Sequence, residues 1–579
     1  MMDSITWKIG GEAGFGIISA GVMLSRTFAR AGYHVFATND YPSLIRGGHN
    51  VVTVRIGQEQ FESMNRDVHI LVALNAETVE LHKEELSQEG VVLYDPRDKE
   101  WQEADFPRPV KLLPVPFKEL MSSVSADPVM RNTVALGVTV ALLGASFEIL
   151  ANVIRDQFKR KGEEVINLNL KIAQLGYDHV KKMYASETSL FLAPGKRPEK
   201  LLVMNGSEAV GLGAVRAGLK FAAIYPMTPI NALITFLADH AKDFGIVYKQ
   251  PEDEIAGINM AIGAAIGGVR SMVATSGGGF ALMVEGLSFA GVVEAPLVID
   301  LGMRVGPATG MPTYTEQGEL QFVIHAGHGE FPRIVLAPGD AQEAYSLTVE
   351  AFNLAERYQV PVFLLTDKYL NESVWCVPLS HFQKAVAIDR GKLIISDTGV
   401  NSKEFKRYQL DSSGISPRSV PGTKGGLYHA DSYEHDEVGH VTEDANMRRS
   451  QAAKRLKKFE TMKVDIKSPT LYGEDTPEIT FVSWGSTKGA ILEALKMLAT
   501  RGKKAKLVHF SWLYPFPSEE AARLLGSVTR LVDVEQNATA QLASLIREHT
   551  GILIKEKLLK FNGRPFEPEE IVEQVMSNK

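Results

Sequence analysis

Strand-like segments alternate with helical ones along most of this chain, and strand after strand runs into a loop of Gly, Pro, Thr or Asp. That order limits the fold more than any other feature. A strand, a loop, a helix and a next strand close most readily as a βαβ unit with a parallel sheet. Ile5–Ile9 enters the glycine loop Gly10–Gly16, and a helical stretch, Ile17–Ala31, follows. The pattern returns at Val68–Leu74 and Gly90–Tyr94, then at Ala222–Tyr225, Ser271–Thr275, Leu297–Leu301, Ile334–Ala337 and Val362–Thr366. It returns again at Glu478–Ser483, Lys506–Phe510 and Thr529–Asp533. The expected fold class is α/β, with several doubly wound parallel-sheet domains. In such sheets ligands gather at the carboxyl ends of the strands, so function is sought in the loops there.

A chain of 579 residues is too long for one core. The expected blocks are a small α/β domain at 1–185, an exposed linker at 186–200 around APGKRPEK, and a glycine-rich α/β domain at 201–395. An irregular polar excursion at 396–470, ending in a basic helix at Met447–Lys463, is expected to lie over an active site or interface. A last α/β domain occupies 471–579. The 62 Lys and Arg against 69 Asp and Glu give a net charge of −7, which leaves no basic excess for nucleic acid or an anionic membrane. The uncharged run Asn132–Phe147 falls short of the roughly 20 apolar residues of a spanning helix and reads as a buried helix. The single cysteine, Cys376, can form neither an internal disulfide nor a zinc or cluster site. It reads as a buried apolar side chain in a reducing compartment. No charged-then-apolar leader pattern precedes Ile5, and the expected setting is cytoplasmic.

Four constellations carry chemistry. In EDEIAGINMAIGAAIGG (Glu252–Gly268) acids lead into a helix of small residues. Acids in a first turn suit the helix dipole without any further role. A carboxyl beside a tight Gly/Ala helix is also what a thiamine enzyme needs against the cofactor's pyrimidine nitrogen. In YPMTPI (Tyr225–Ile230) two prolines fix the backbone around Thr228, as an ordinary turn or to present its hydroxyl to a carboxylate. In ATSGGGF (Ala274–Phe280) a strand runs into glycines and a helix, Ala281–Ala290, giving close backbone approach and free N–H donors. In MRVGPATGMPTYTEQGEL (Met303–Leu320) Arg304 offers a fork for a carboxylate, or a plain salt bridge. Two other patterns weigh less. Gly10–Gly16 is out of register for a dinucleotide fingerprint and lacks the acidic residue about 20 positions on. His435, Asp436, His440 and Glu443 are loosely spaced like metal ligands but read better as a polar loop knit by local hydrogen bonds.

Taken in this order, the motifs resemble the 2-oxoacid:ferredoxin oxidoreductases, in particular the fused γ–α large (alpha) subunit of the 2-oxoglutarate type. The glycine loop and SLIRGGHN (Ser43–Asn50) resemble the family's γ domain. Tyr225–Pro229, Glu254, Thr275–Phe280 and Arg304–Thr313 resemble its thiamine-pyrimidine-binding domain. GISPRSVPG (Gly414–Gly422), EHDEVGHVTED (Glu434–Asp444), SWGSTKG (Ser483–Gly489) and VEQN (Val534–Asn537) continue the match into a transketolase C-terminal-like domain. The resemblance implies that Glu254 contacts the pyrimidine of thiamine diphosphate as the catalytic residue. It implies that Tyr225, Pro226, Gly277 and Gly278 help bind that cofactor, and that Thr228 and Arg304 hold the C1 carboxylate of the substrate. Ser43, Arg46, Gly47 and Gly48 would face CoA or a partner subunit.

The implied activity is CoA-dependent oxidative decarboxylation of a 2-oxoacid, with 2-oxoglutarate to succinyl-CoA first, electrons passing to ferredoxin, and reductive carboxylation as the reverse. Pyruvate or a branched-chain 2-oxoacid is the alternative substrate; a non-redox transketolase-like subunit and a non-catalytic scaffold are the alternative classes. The chain has no GDG motif for a Mg²⁺-bound diphosphate and only one cysteine for a four-iron cluster (4Fe–4S), so both are expected on a beta subunit, in a dimer of αβ heterodimers. No metal ligand is assigned to this chain. Where the family has YPITPSS, TSGPGF and GPSTG, this chain has YPMTPIN, TSGGGF and GPATG; Ile230 and Ala308 remove hydroxyls that could touch a substrate, which places the identity of the 2-oxoacid in question.

Overall fold

The computed structural model describes residues 4–44, 47–124, 127, 130–184, 192, 195, 200–394 and 405–577. Arg46, nearly all of the 186–200 linker and the first residues of the 396–470 excursion lie outside these. The chain forms two compact units, one of residues 1–205 with 372–384 and 567–573, the other of 206–371 with 385–566 and 574–579.

The first unit is built on an eight-stranded sheet in the order 111–114, 86–94, 68–73, 4–12, 49–57, 34–40, 374–378, 201–205. From 111–114 to 4–12 it is the expected parallel βαβ sheet. The rest is antiparallel, because 49–57 returns alongside 4–12 and pairs on its other edge with 34–40. Strands 374–378 and 201–205 extend that antiparallel half. Cys376 sits on the first of these. It is buried, its sulfur accepts the Val35 N–H at 3.3 Å, and burial pushes the thiol up to about 12. The uncharged run forms the helix Arg131–Leu142, buried on nearly every side. Its Gly137 lies so close to the Glu163–Met183 helix that a Cβ there would collide with the Ala173 carbonyl. Among the described residues no helix is long and apolar enough to cross a membrane.

The second unit holds two sheets. One has seven strands in the order 512–514, 334–336, 361–367, 297–303, 270–275, 219–223, 247–249, all parallel except the edge strand 512–514. The other has five, in the order 470–473, 505–510, 479–484, 531–535, 556–559, with only 470–473 antiparallel. Their buried strands are continuous apolar runs, as sheets covered on both faces require. One core joins them, with Val335 and Phe363 from the first packed in the same cluster as Val482, Trp484 and Val508 from the second.

The excursion after residue 404 is tied down by buried charge. Arg418 of the GISPR motif donates to the Ala265 carbonyl and to Glu356, which also holds Arg270 at 2.8 Å. On the helix Ala445–Met462, Lys454 and Lys458 each reach Glu294 at 2.6 Å. They hold its carboxyl well below the ordinary range despite full burial.

Candidate active site

The second unit's larger sheet has a switch point at strand 219–223. The chain leaves that strand for its neighbour 247–249 on one side and comes back at 270–275 on the other. Loops from the carboxyl ends of 219–223, 270–275 and 297–303 therefore converge there. They carry Thr228, Thr275–Gly279 and Arg304. The helix Glu254–Ile266, which links 247–249 to 270–275, brings Glu254.

The acidic run that opens this helix divides its labour. Asp253 is the N-cap, its Oδ1 accepting the Ala256 N–H at 2.8 Å. Glu254 is left free of capping, yet only 3 % exposed, and its Oε1 is buried without a hydrogen-bond partner among the described residues. A buried carboxyl oxygen in that condition costs roughly 1–3 kcal/mol or more, so it marks a place where a ligand atom completes the bonding. Glycine makes the place possible. A Cβ on Gly279 would stand 2.5 Å from Glu254 Oε1 and closer still to Thr275 Oγ1. The same economy sets the helix pair, since a Cβ on Gly286 would meet Ile258 at 2.6 Å. A buried carboxyl oxygen left without a partner fits a site that hydrogen-bonds the pyrimidine end of thiamine.

Thr228 and Arg304 are brought together directly: Arg304 Nη1 donates to the Thr228 carbonyl at 2.8 Å. The rest of the Arg304 fork makes no ion pair among the described residues, and burial lowers its basicity while Glu319 opposes the shift. The Thr228 hydroxyl accepts from Asn231 Nδ2 at 3.4 Å. Tyr225 and Pro226 are exposed just beyond their strand. Gly277 opens the helix Gly277–Val292, a longer helix than the sequence suggested. Gly278 lies in its first turn, and a Cβ there would find only the Ala308 carbonyl, at 3.9 Å. Proline, which the family has at this place, fits such a first-turn position. Ile230 is fully buried, touching the space beside Gly302, so its missing hydroxyl falls in the core and not on a substrate surface. Ala308 is exposed, with φ of 56°.

Other residues of this site are not singled out by the sequence. Gln317 pins the Arg304 loop: its Nε2 donates to the Trp484 carbonyl at 2.9 Å and its Oε1 accepts the Gln536 N–H at 2.9 Å. The VEQN and SWGSTKG motifs thus act as anchors. Glu535 accepts from Trp484 Nε1 and from the N–H groups of Leu542 and Ala543. Thr313 has a buried hydroxyl without a partner. Glu319 packs against Gly277, and burial first, then the neighbouring Glu316, pushes its carboxyl up to about 8 against the pull of Arg304. Below the site Asp300 is fully buried, hydrogen-bonded by Thr366 at 2.9 Å, and raised to about 7 by desolvation. Of the His435–Glu443 group, Asp436 accepts three backbone N–H groups, from Val438, Gly439 and His440.

In the first unit, Gly47 and Gly48 take positive φ values of 75° and 84°, and Ser43 is exposed. Tyr41 donates to Glu372 at 2.8 Å, and His49 Nε2 faces His82 Nε2 at 3.0 Å.

The sequence matches the family described as pyruvate flavodoxin/ferredoxin oxidoreductase, thiamine diP-bdg, over residues 212–454. It matches pyruvate ferredoxin/flavodoxin oxidoreductase over 6–179 and pyruvate:ferredoxin oxidoreductase core domain II over 477–571. A 2-oxoacid:ferredoxin oxidoreductase subunit alpha from Saccharolobus solfataricus is 32% identical over 99% of this chain and 97% of its own length. A 2-oxoglutarate synthase subunit KorA from Archaeoglobus fulgidus is 32% identical over 64% of this chain and 98% of its own. The solved 2-oxoglutarate:ferredoxin oxidoreductase from Magnetococcus marinus, with 2-oxoglutarate, coenzyme A and succinyl-CoA bound, superposes with a TM-score of 0.91 at 32% identity and full coverage of both chains. With likeness of this extent from end to end, the chain belongs to the 2-oxoacid:ferredoxin oxidoreductase family, as an alpha subunit.

Proposed function

We propose that this subunit activates thiamine and recognises the substrate carboxylate in a complex that converts 2-oxoglutarate and CoA to succinyl-CoA and CO₂, with electrons passing to ferredoxin. The observation that carries this reading is the Glu254 carboxyl, buried, with an Oε1 that has no hydrogen-bond partner among the described residues and lies where a side chain at Gly279 would stand. When bound, thiamine diphosphate supplies a nucleophilic carbon and an electron sink for decarboxylation. Glu254 hydrogen-bonds the pyrimidine ring nitrogen and holds a proton there. Tyr225, Pro226, Gly277 and Gly278 wall the ring. Arg304 takes the C1 carboxylate with the donors not committed to the Thr228 carbonyl, and the Thr228 hydroxyl adds a bond. Ser43, Arg46, Gly47 and Gly48 face CoA or the partner. The blocks 1–185, 201–395 and 471–579 are the γ-like, pyrimidine-binding and transketolase C-terminal-like domains. 2-Oxoglutarate is preferred over pyruvate because the relatives named for it match over long spans.

The beta subunit brings the Mg²⁺-bound diphosphate site and the four-iron cluster, in a cytoplasmic dimer of αβ heterodimers. The one cysteine and the lack of GDG support this. So do Ile255, Met260 and Leu282, apolar yet 39–50% exposed on the two helices that carry Glu254 and Gly279. Co-expression tests it. A brown complex with a smaller subunit, bound thiamine and highest kcat/KM for 2-oxoglutarate in a panel of 2-oxoacids is expected; a colourless, active single chain would overturn it.

A further inference from the structure

One carboxyl at this site has no part in the roles above. Glu319 follows the Arg304 loop and immediately precedes the short helix Leu320–His325. Its Oε1 occupies the space a side chain at Gly277 would need, 2.5 Å from where that Cβ would stand, and its Oε2 is buried without a partner. It therefore leans on the first turn of the helix Gly277–Val292, at the same strand ends that carry Arg304. Among the described residues, two charged groups act on it. Arg304, after the strand 297–303, attracts it through space without an ion pair; Glu316, on its own loop, repels it. The first turn of the Gly277–Val292 helix brings no ionisable side chain.

We propose that Glu319 sets how much of the Arg304 charge the site offers to a substrate carboxylate, and does so through its own proton. The proposal rests on the reading that Arg304 takes the 2-oxoacid carboxylate. An anion at 319 would compensate the guanidinium from within the chain and repel the incoming C1 carboxylate. A protonated carboxyl does neither and leaves the cation for the substrate. The environment favours the protonated form: burial dominates, Glu316 adds to it, and the carboxyl is pushed up to about 8. The sign follows. Below that pH Glu319 is neutral and the site is fully cationic; above it Glu319 ionises and the substrate's hold weakens. Substrate binding in turn makes ionisation harder, since the two events are linked. Glu319 is thus a positioning residue, acting through Arg304 and touching no reacting atom.

The test is the pH dependence of KM for 2-oxoglutarate between pH 6.5 and 9.5 in the reconstituted complex, for wild type, Glu319→Gln and Arg304→Ala. In the wild type KM should rise above about pH 8, by up to about tenfold per pH unit, the limiting slope of one linked proton, while kcat changes much less. In Glu319→Gln, which keeps the shape and cannot ionise, that rise should vanish. Infrared difference spectra of wild type against Glu319→Gln should show a protonated carboxyl lost over the same range, independently of turnover. An alkaline rise that persists in Glu319→Gln overturns the proposal, as does a flat wild-type profile, which needs no variant. If Arg304→Ala leaves KM unchanged at pH 7, it is the underlying reading of Arg304 that fails.

Discussion

Replacing Gly279 by Ala probes the site with a single methyl group. The added Cβ would stand 2.5 Å from Glu254 Oε1. Ordinary contact begins near 3.4 Å, so the carboxyl must retreat by 3.4 − 2.5, about 0.9 Å. Misplacement of a catalytic group by about 1 Å costs on the order of 10²-fold in rate. The cost in stability is smaller. Overpacking costs about 1–3 kcal/mol, and Ala in place of Gly inside a helix returns about 1 kcal/mol, leaving a net loss of about 0–2 kcal/mol. The expectation is a folded subunit whose complex retains about one part in a hundred of its turnover. The assay is CoA- and 2-oxoacid-dependent reduction of a low-potential acceptor, beside a denaturation midpoint. Gly286→Ala is the comparator, because its Cβ meets Ile258 between the same two helices and no carboxyl. It should cost stability without the hundredfold loss. Equal losses of rate in both variants, or wild-type turnover in folded Gly279→Ala, would refute the claim that Glu254 works from this position.

Two further expectations concern buried charge. Glu294→Gln leaves Lys454 and Lys458 buried opposite a neutral group and should cost about 3–5 kcal/mol in urea denaturation of the chain; a loss under about 1 kcal/mol would contradict the pairing. Asp300 is raised from 3.8 to about 7, so between those values the folded chain keeps a proton that the unfolded chain releases. Its contribution to stability is therefore present at low pH and is lost as pH rises to about 7, by up to about 4 kcal/mol for a shift of about three units at 1.36 kcal/mol each. Asp300→Asn should remove that decline from the denaturation midpoints measured between pH 5 and 8, and a decline unchanged in the variant would assign it to another group.

Much of the second unit was legible because parallel sheets write their strands as continuous apolar runs ending in turn residues. Ser271–Thr275, Leu297–Leu301 and Val362–Thr366 were each found to within two residues. The same rule under-read the first unit. Strands 201–205 and 374–378 join a sheet whose other members end by residue 114, and no local pattern reports a partner so distant. Glu254 could be singled out beside Asp253 and Glu252 only through the resemblance. The structure separates them physically, one acid spent on a cap and one buried without a partner. Glu319 was invisible, since EQGEL reads as an ordinary polar loop until Gly277 is seen to make room for its carboxyl. The excursion's Arg418 and Lys454 pair with Glu356 and Glu294, far away in the chain, and no local pattern reports such partners.

In the proposed function this subunit supplies the acid–base group for the cofactor. Turnover of the reconstituted complex with Glu254→Gln tests it most directly, because the amide keeps the shape of the side chain and removes its ability to exchange a proton with the pyrimidine. An assembled complex is expected, with its thiamine and iron contents retained, whose turnover falls about 10²–10⁴-fold. Turnover near that of the wild type would contradict it.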